Sequence, residues 1–261
     1  DKRFNITSSQ VKLASGRIVK TYTYDPAISN MVKYVDEAVL YYSEHIGEYP
    51  YDYCTAVRGQ LEAGGGMEYP MVTVIGTFNE EVIVHEVGHN WFYGILGSDE
   101  RSFPWMDESI NSFFEMETIQ SAKQKLTPVA VLSPRNGIRE NLDNINDFAM
   151  ELLAHQAERT HTHQSINCHS TDLTNGNYGV MVYGKGSLVF KHLKSYLGDE
   201  LFYTCFKDYY ANWKFKHPLP GDMEASFEAT SKKNLDWFFK EILGSEEHLS
   251  FSIEKKQSTV V

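Results

Sequence analysis

The segment His85-Glu86-Val87-Gly88-His89, followed after eighteen intervening residues by Glu108, constrains this chain more than anything else in it. If the segment is helical, the two histidines stand one turn apart on the same face and both imidazoles can reach one cation. Glu86, rotated about 100° round that helix from His85, can point at a water on the same cation. His85, His89 and Glu108 supply three protein ligands and leave a fourth position open, the arrangement of catalytic rather than structural zinc. The competing reading is a buried histidine pair making ordinary hydrogen bonds. Three features favour the metal: the apolar Val82, Ile83, Val84 and Val87 around the motif, the carboxylate on a separate helix, and a downstream tyrosine, Tyr183.

Composition narrows the class further. A chain of 261 residues with 42% hydrophobic content can fill one large core or two lobes. Lys plus Arg number 24 against 35 Asp plus Glu, and the net charge of −11 argues against a nucleic-acid partner. Most of the 16 Tyr and 15 Phe are expected in the core. Cys54, Cys168 and Cys205 are odd in number and widely spaced, so no disulfide framework is implied. No run of about 18 apolar residues offers a membrane span, and a soluble chain is expected. The first residue is Asp1, not Met, so the lack of a leader says nothing about location. The compartment stays open, with the periplasm or cell envelope of a bacterium as the candidate.

The hydropathy pattern divides the chain in two. Residues 11–24 alternate and are β-branched, predicting one or two strands with a turn at Ser15-Gly16. Helical spacing of Met31, Val32, Val35, Val39, Leu40 and Ile46 predicts a helix over 30–46, capped by Ser29. Short strands are expected at 53–57 and 71–76, with a glycine-rich loop between. Thr77 or Asn79 caps the metal-motif helix and Gly94 ends it. Another helix over 105–123 carries Glu108, and further helices are expected near 147–158, 182–197, 199–213, 222–231 and 234–243. The expected fold class is α+β, a small β-rich lobe beside a larger helical lobe, with the metal helix at the junction.

The segments GGGMEYP (64–70), HEVGHNWFYG (85–94), WMDES (105–109) and YGKG (183–186) together resemble the gluzincin zinc aminopeptidases, the family of alanyl aminopeptidase and leukotriene hydrolase. The similarity runs from about Asp25 to Gly244 and includes Leu235–Phe239. It implies a thermolysin-like zincin catalytic domain at 25–244, with 1–24 as end strands of a preceding β domain and 245–261 as the start of a following segment. It implies one zinc ion per chain on His85, His89 and Glu108, and hydrolysis of a peptide's N-terminal residue through a zinc-activated water. Glu86 would be the general base and Tyr183 the hydrogen-bond donor to the oxyanion. Glu68 would hold the substrate's α-ammonium, and Gly64, Gly65, Gly66 and Met67 would line its extended backbone. The implied partners are peptides with a free N-terminus and the flanking domains of a longer parent chain. One departure stands at Tyr69, where the family's loop ends in Asn; it bears on the first residue's subsite. Two rivals remain: a thermolysin-type zinc endopeptidase, and a catalytically silent zinc-stabilised peptide-binding domain.

Other residues invite roles that their spacing does not support. His155, His161, His163, Cys168 and His169 match no recognised zinc pattern. Asp99-Glu100-Arg101 reads as a solvated loop and His217-Pro218 as a helix-end turn. Lys185 is expected to pack and support the site, and Ser112 is a candidate hydrogen-bond partner for a ligand, one turn after Glu108.

Overall fold

The computed structural model describes residues 2–27, 29–61, 65–122 and 145–246, the side chains of 145–151 excepted. Strands β1 (Asn5–Lys12) and β2 (Ile18–Asp25) form a hairpin through the expected turn, where Gly16 takes φ +90°. Both belong to one five-stranded sheet with β3 (Tyr53–Arg58), β4 (Gly66–Met67) and β5 (Val72–Ile75), in the order β1-β2-β3-β5-β4. Strands β1 and β2, in the stretch expected as the end of a preceding domain, thus join the same sheet as β3, which pairs with β2. The β2–β3 and β3–β5 pairs are parallel, while β4 runs antiparallel to β5 at the edge. Only two residues long, β4 has no period for a sequence to display, and it lay unread within the expected loop.

Strand alternation decides what faces inward. Val19, Thr21 and Thr23 of β2, Cys54 and Ala56 of β3, and Thr73 and Ile75 of β5 are buried. Helices α1 (Val32–His45) and α2 (Glu80–His89) lie against the sheet. The buried stripe of α1, Val32, Val35, Val39 and Tyr42, has the spacing of one helix face. Ser29 does not cap it. Its hydroxyl donates instead to Asp25 Oδ2 at 3.2 Å, and the helix starts after Met31 with no side-chain cap.

The helical part contains α3 (Glu108–Ser121), α4 (Ile145–Arg159), α5 (Gly186–Leu197), α6 (Asp199–Trp213) and α7 (Pro220–Ser231). Its core is aromatic: Phe113, Phe114, Phe190, Phe202, Phe206, Phe227 and Phe238 are all fully buried, and edge-on ring pairs such as Phe114–Phe206 at 4.9 Å fit the preferred aromatic geometry. Three segments are wider π-turns, Asn90–Ile95, Tyr178–Lys185 and Trp237–Ile242; the first and last fall where ordinary α-helix is expected, and the second begins four residues before the helix expected from 182. Gly94 therefore does not end the metal-motif helix. The chain continues to Ile95 and turns at Gly97, which has φ +65° and donates its N–H to Tyr93 O. Likewise the segment before α3 is a short 3-10 turn, Pro104–Met106, and the α-helix begins only at Glu108.

Candidate metal centre

Asn79 starts α2 by accepting the Val82 N–H on its side chain at 3.0 Å, and Glu80 and Glu81 place negative charge at the positive end of the helix. His85 and His89 then emerge on one face. Glu108 meets them from the first residue of α3, where the helix dipole also favours a carboxylate. His89 Nε2 lies 3.0 Å from His85 Nε2, and Glu108 Oε2 lies 3.2 Å from His85 Nε2 and 3.4 Å from His89 Nε2. A tetrahedral cation with ligands at about 2.0–2.1 Å needs its donor atoms about 3.3 Å apart. The three donors therefore fit a zinc-sized ion, and together they form a group able to hold one.

The other ring nitrogens are already occupied. His89 Nδ1 is 2.6 Å from Asp107 Oδ1, with both side chains buried, and His85 Nδ1 is 3.0 Å from Glu115 Oε2. Each carboxylate takes an Nδ1–H and turns the Nε2 lone pair toward the shared centre. Asn111 donates to the His85 carbonyl at 2.8 Å and accepts from Tyr42 at 2.9 Å, so α1, α2 and α3 are tied together beneath the ligands. Ser112 was the wrong residue of α3 to single out: the groups that touch the histidines are Asp107, Asn111 and Glu115. Their positions, beside Glu108 and three and seven residues after it, share a helix face interrupting Ile110, Phe113 and Phe114. That polar stripe was the available signal.

Glu86 lies beneath the glycine loop. A Cβ on Gly66 would come within 2.3 Å of Glu86 Cγ and 2.5 Å of its Oε1, so the backbone there can approach only as glycine. Among the described residues Glu86 Oε2 is buried without a hydrogen-bond partner, an acceptor left to pay its desolvation without a bond. Gly65 has φ +61° and accepts from the Gly76 and Thr77 N–H groups, which closes the loop. Met67 lies in β4, Glu68 follows it half-buried, and Gly64 falls outside the described residues. Asn90 anchors the far end of the loop: its Oδ1 accepts the Met71 N–H at 2.8 Å.

Tyr183 stacks on His85 with ring centroids 5.8 Å apart and interacts with Glu108 through its hydroxyl. Ser109, next to Glu108, donates to Val182 O at 2.6 Å, and a Cβ on Gly186 would meet the Ser109 hydroxyl at 2.1 Å. This close approach fixes the Tyr183 turn against the start of α3. Lys185 pairs with Glu158 of α4 at 2.7 Å.

The electrostatics follow from burial and proximity. Burial pulls His85 down, but the hydrogen bonds that Glu108 and Glu115 accept from it outweigh burial and lift the imidazole to about 10. His89 is likewise lifted, against burial, by Asp107 and Glu108. Burial raises Glu108, yet the two histidines hold it below the usual carboxylate range. Burial pushes Glu86 up to about 7, partly opposed by His85 and His89. Tyr183 is pushed far up by burial and then by Glu108, so it stays a phenol.

The discounted histidines have other partners. His155 lies 3.5 Å from Glu158, His163 meets the Glu246 carbonyl at 2.9 Å, and His169 meets the Thr171 hydroxyl at 2.8 Å. Among the described residues none of them joins a metal-binding group. The other such group, Glu224, Glu228 and Asp236, is bridged by Lys240.

Fold and site together define a metallopeptidase-type scaffold with two histidines and one glutamate around a single centre. The Peptidase family M1 domain matches residues 72–242, and the chain belongs to that family. Human aminopeptidase Q is 25% identical over 151 residues, 56% of this chain and 14% of its own length. Aminopeptidase N of Streptomyces lividans is 23% identical over 160 residues, 60% of this chain and 17% of its own. The chain thus spans about a sixth of the curated relatives it matches. Among solved structures, the M1 zinc metallopeptidase of Deinococcus radiodurans superposes with a TM-score of 0.70 at 12% identity, covering 95% of this chain and 53% of that one. Legionella pneumophila aminopeptidase A, in complex with aspartic acid, gives 0.70 at 14%, covering 93% and 28%. The fold is therefore that of the M1 catalytic domain, the thermolysin-like zincin arrangement expected.

Proposed function

We propose that this chain is the catalytic unit of a zinc aminopeptidase and removes the N-terminal residue of peptides. One observation carries the reading: the orphaned Glu86 Oε2, buried on the helix that holds both histidines and covered by the glycine loop. His85, His89 and Glu108 would hold the ion. A zinc ion there supplies a Lewis acid and lowers the pKa of water toward ~7. Glu86, lifted to about 7 by burial, takes a proton from the attacking water and returns it to the leaving amine. Tyr183, held as a phenol, donates to the oxygen that becomes negative in the transition state. Gly65, Gly66 and Met67 present backbone to an extended substrate along the edge strand β4, Gly64 is assigned the same role on its sequence alone, and Glu68 receives the charged amine.

Glu68 and its loop lie just before the span matched to the family, so the exopeptidase part of the proposal rests on their own chemistry. The parent protein's further domains are part of the same proposal, as the relatives are six to seven times longer than the matched stretch. Among the described residues no helix is long and apolar enough to cross a membrane. The test pairs two measurements. Glu86→Gln should retain zinc and lose turnover by about 10²- to 10⁴-fold, and acetylating the substrate's amine should abolish cleavage by the unmodified chain. Turnover by Glu86→Gln at the parent rate would sink the mechanism, while cleavage of acetylated peptides would make the chain an endopeptidase.

A further inference from the structure

Glu68 stands in the connection between β4 and β5, and both ends of that connection are fixed. On one side Met67 pairs with Val74, and its carbonyl accepts the Thr73 hydroxyl at 3.3 Å. On the other, the Val72 N–H donates to Tyr69 O at 3.1 Å and closes a turn with Pro70 and Met71 at its centre. Met71 has φ +65°. Proline followed by a left-handed residue is the type II pattern, whose left-handed position favours glycine or asparagine because a Cβ crowds the backbone there. Methionine bears that strain here, and its side chain, 37% exposed, gains little packing in return.

What holds Met71 is its backbone. Its carbonyl accepts the Thr55 N–H of β3 at 2.9 Å, and its N–H donates to Asn90 Oδ1 at 2.8 Å. Asn90 follows His89 directly and is 1% exposed. Its Nδ2 donates to Val87 O at 2.8 Å, and its Oδ1 also lies 3.4 Å from the Tyr49 hydroxyl. The bond to Val87 O fixes which end of the amide faces Met71. Further along the same π-turn, Gly94 meets Pro70, whose Cγ lies 3.6 Å from where a Gly94 Cβ would be. Both central residues of the turn therefore rest on the chain that continues the metal-motif helix.

We infer that Asn90 is a positioning residue for the substrate's α-ammonium. By holding Met71 left-handed it closes the turn behind Glu68 and sets where that carboxylate stands relative to His85 and His89. The inference rests on the aminopeptidase reading, with Glu68 taking the amine. It gives adjacent residues separate tasks: His89 faces the ion, and Asn90 holds the loop that reads the amine. Removing the Asn90 amide should therefore weaken recognition of the amine and spare the metal.

Binding to zinc-loaded Glu86→Gln protein, read by calorimetry, tests this without turnover. Leu-Ala-Ala and isocaproyl-Ala-Ala differ only in the α-ammonium, so the ratio of their dissociation constants measures its recognition. A hydrogen bond to a charged group predicts a ratio of about 10 to 100 in the Glu86→Gln protein. Adding Asn90→Ala should lower it about fivefold, the effect of one neutral hydrogen bond, with zinc affinity unchanged. Adding Met71→Gly to that pair should restore most of the ratio, since glycine takes the left-handed turn unaided. Met71→Val is an exposed change that leaves Asn90 in place. It should lower the ratio as Asn90→Ala does, because β-branched residues tolerate the left-handed region worst, and it decides the matter if Asn90→Ala loses its zinc or its fold. A ratio unchanged by Asn90→Ala or by Met71→Val, or one that Met71→Gly does not restore, overturns the role of Asn90 and leaves the aminopeptidase reading standing. A ratio near unity before any of these changes overturns both, since Glu68 would then not read the amine.

Discussion

Asp107 decides which nitrogen of His89 faces the ligand cluster. Its 2.6 Å contact with Nδ1, in a buried setting, holds the ring in one tautomer and one orientation. Asp107→Asn keeps the size of the side chain and removes the charge. Zinc affinity, read by competition with a chromogenic chelator, should fall by about tenfold or more; an unchanged dissociation constant would show that Asp107 does not tune His89. Tyr183→Phe tests a different moment of the reaction. It should lower kcat by about 100-fold with little change in KM, because its hydrogen bond strengthens where charge develops. A rise in KM at constant kcat would instead make Tyr183 a ground-state contact. The candidate ligand residues were legible in the sequence because one helix face brings His85 and His89 together whatever the fold around them. Asp107 and Glu115 were not read, since their contacts exist only once α3 crosses α2.

Between elements, the scaffold depends on how closely backbones approach. Gly88 sits where α2 meets α1 and α3, and a Cβ there would lie 2.0 Å from Asn111 Oδ1 and 2.3 Å from the Tyr42 hydroxyl. Alanine gains about 1 kcal/mol of helix propensity at such a position, but overpacking costs about 1–3 kcal/mol and the displaced Tyr42–Asn111 bond about 1 more. Gly88→Ala should therefore destabilise the chain by about 2 kcal/mol, measured by urea unfolding. A stabilised variant would mean that the three helices can separate freely. The same principle explains which elements were readable. Helices and strands with a buried stripe announced themselves by period, down to the limits of α6. The π-turns did not, because widening a helix by one residue per turn leaves its composition unchanged. Gly94 resembled a helix stop, yet the left-handed residue is Gly97, three positions on.

At the scale of the whole molecule, the metal centre couples proton binding to stability. In the metal-free chain, neighbouring carboxylates lift His85 to about 10 and raise His89 as well. A histidine raised in the folded state contributes stability that is fully present below its ordinary pKa of 6.5 and lost as pH climbs through the folded value. Glu86 acts in the same direction over a lower window: raised from 4.5 to about 7, it favours the fold while protonated and withdraws that support as it ionises. The zinc-loaded form follows the opposite trend. Metal binding needs unprotonated Nε2 atoms and displaces protons, so affinity grows with pH across the range in which the metal-free form weakens. At free zinc of 1,000 times the dissociation constant, linkage alone adds about 4 kcal/mol. The gap in Tm between zinc-saturated and chelated protein should therefore widen steadily from pH 6 to pH 9 in scanning calorimetry. A gap that stays constant would mean the histidines give up no protons to the metal. A gap that narrows would reverse the sign and place the ion on other ligands.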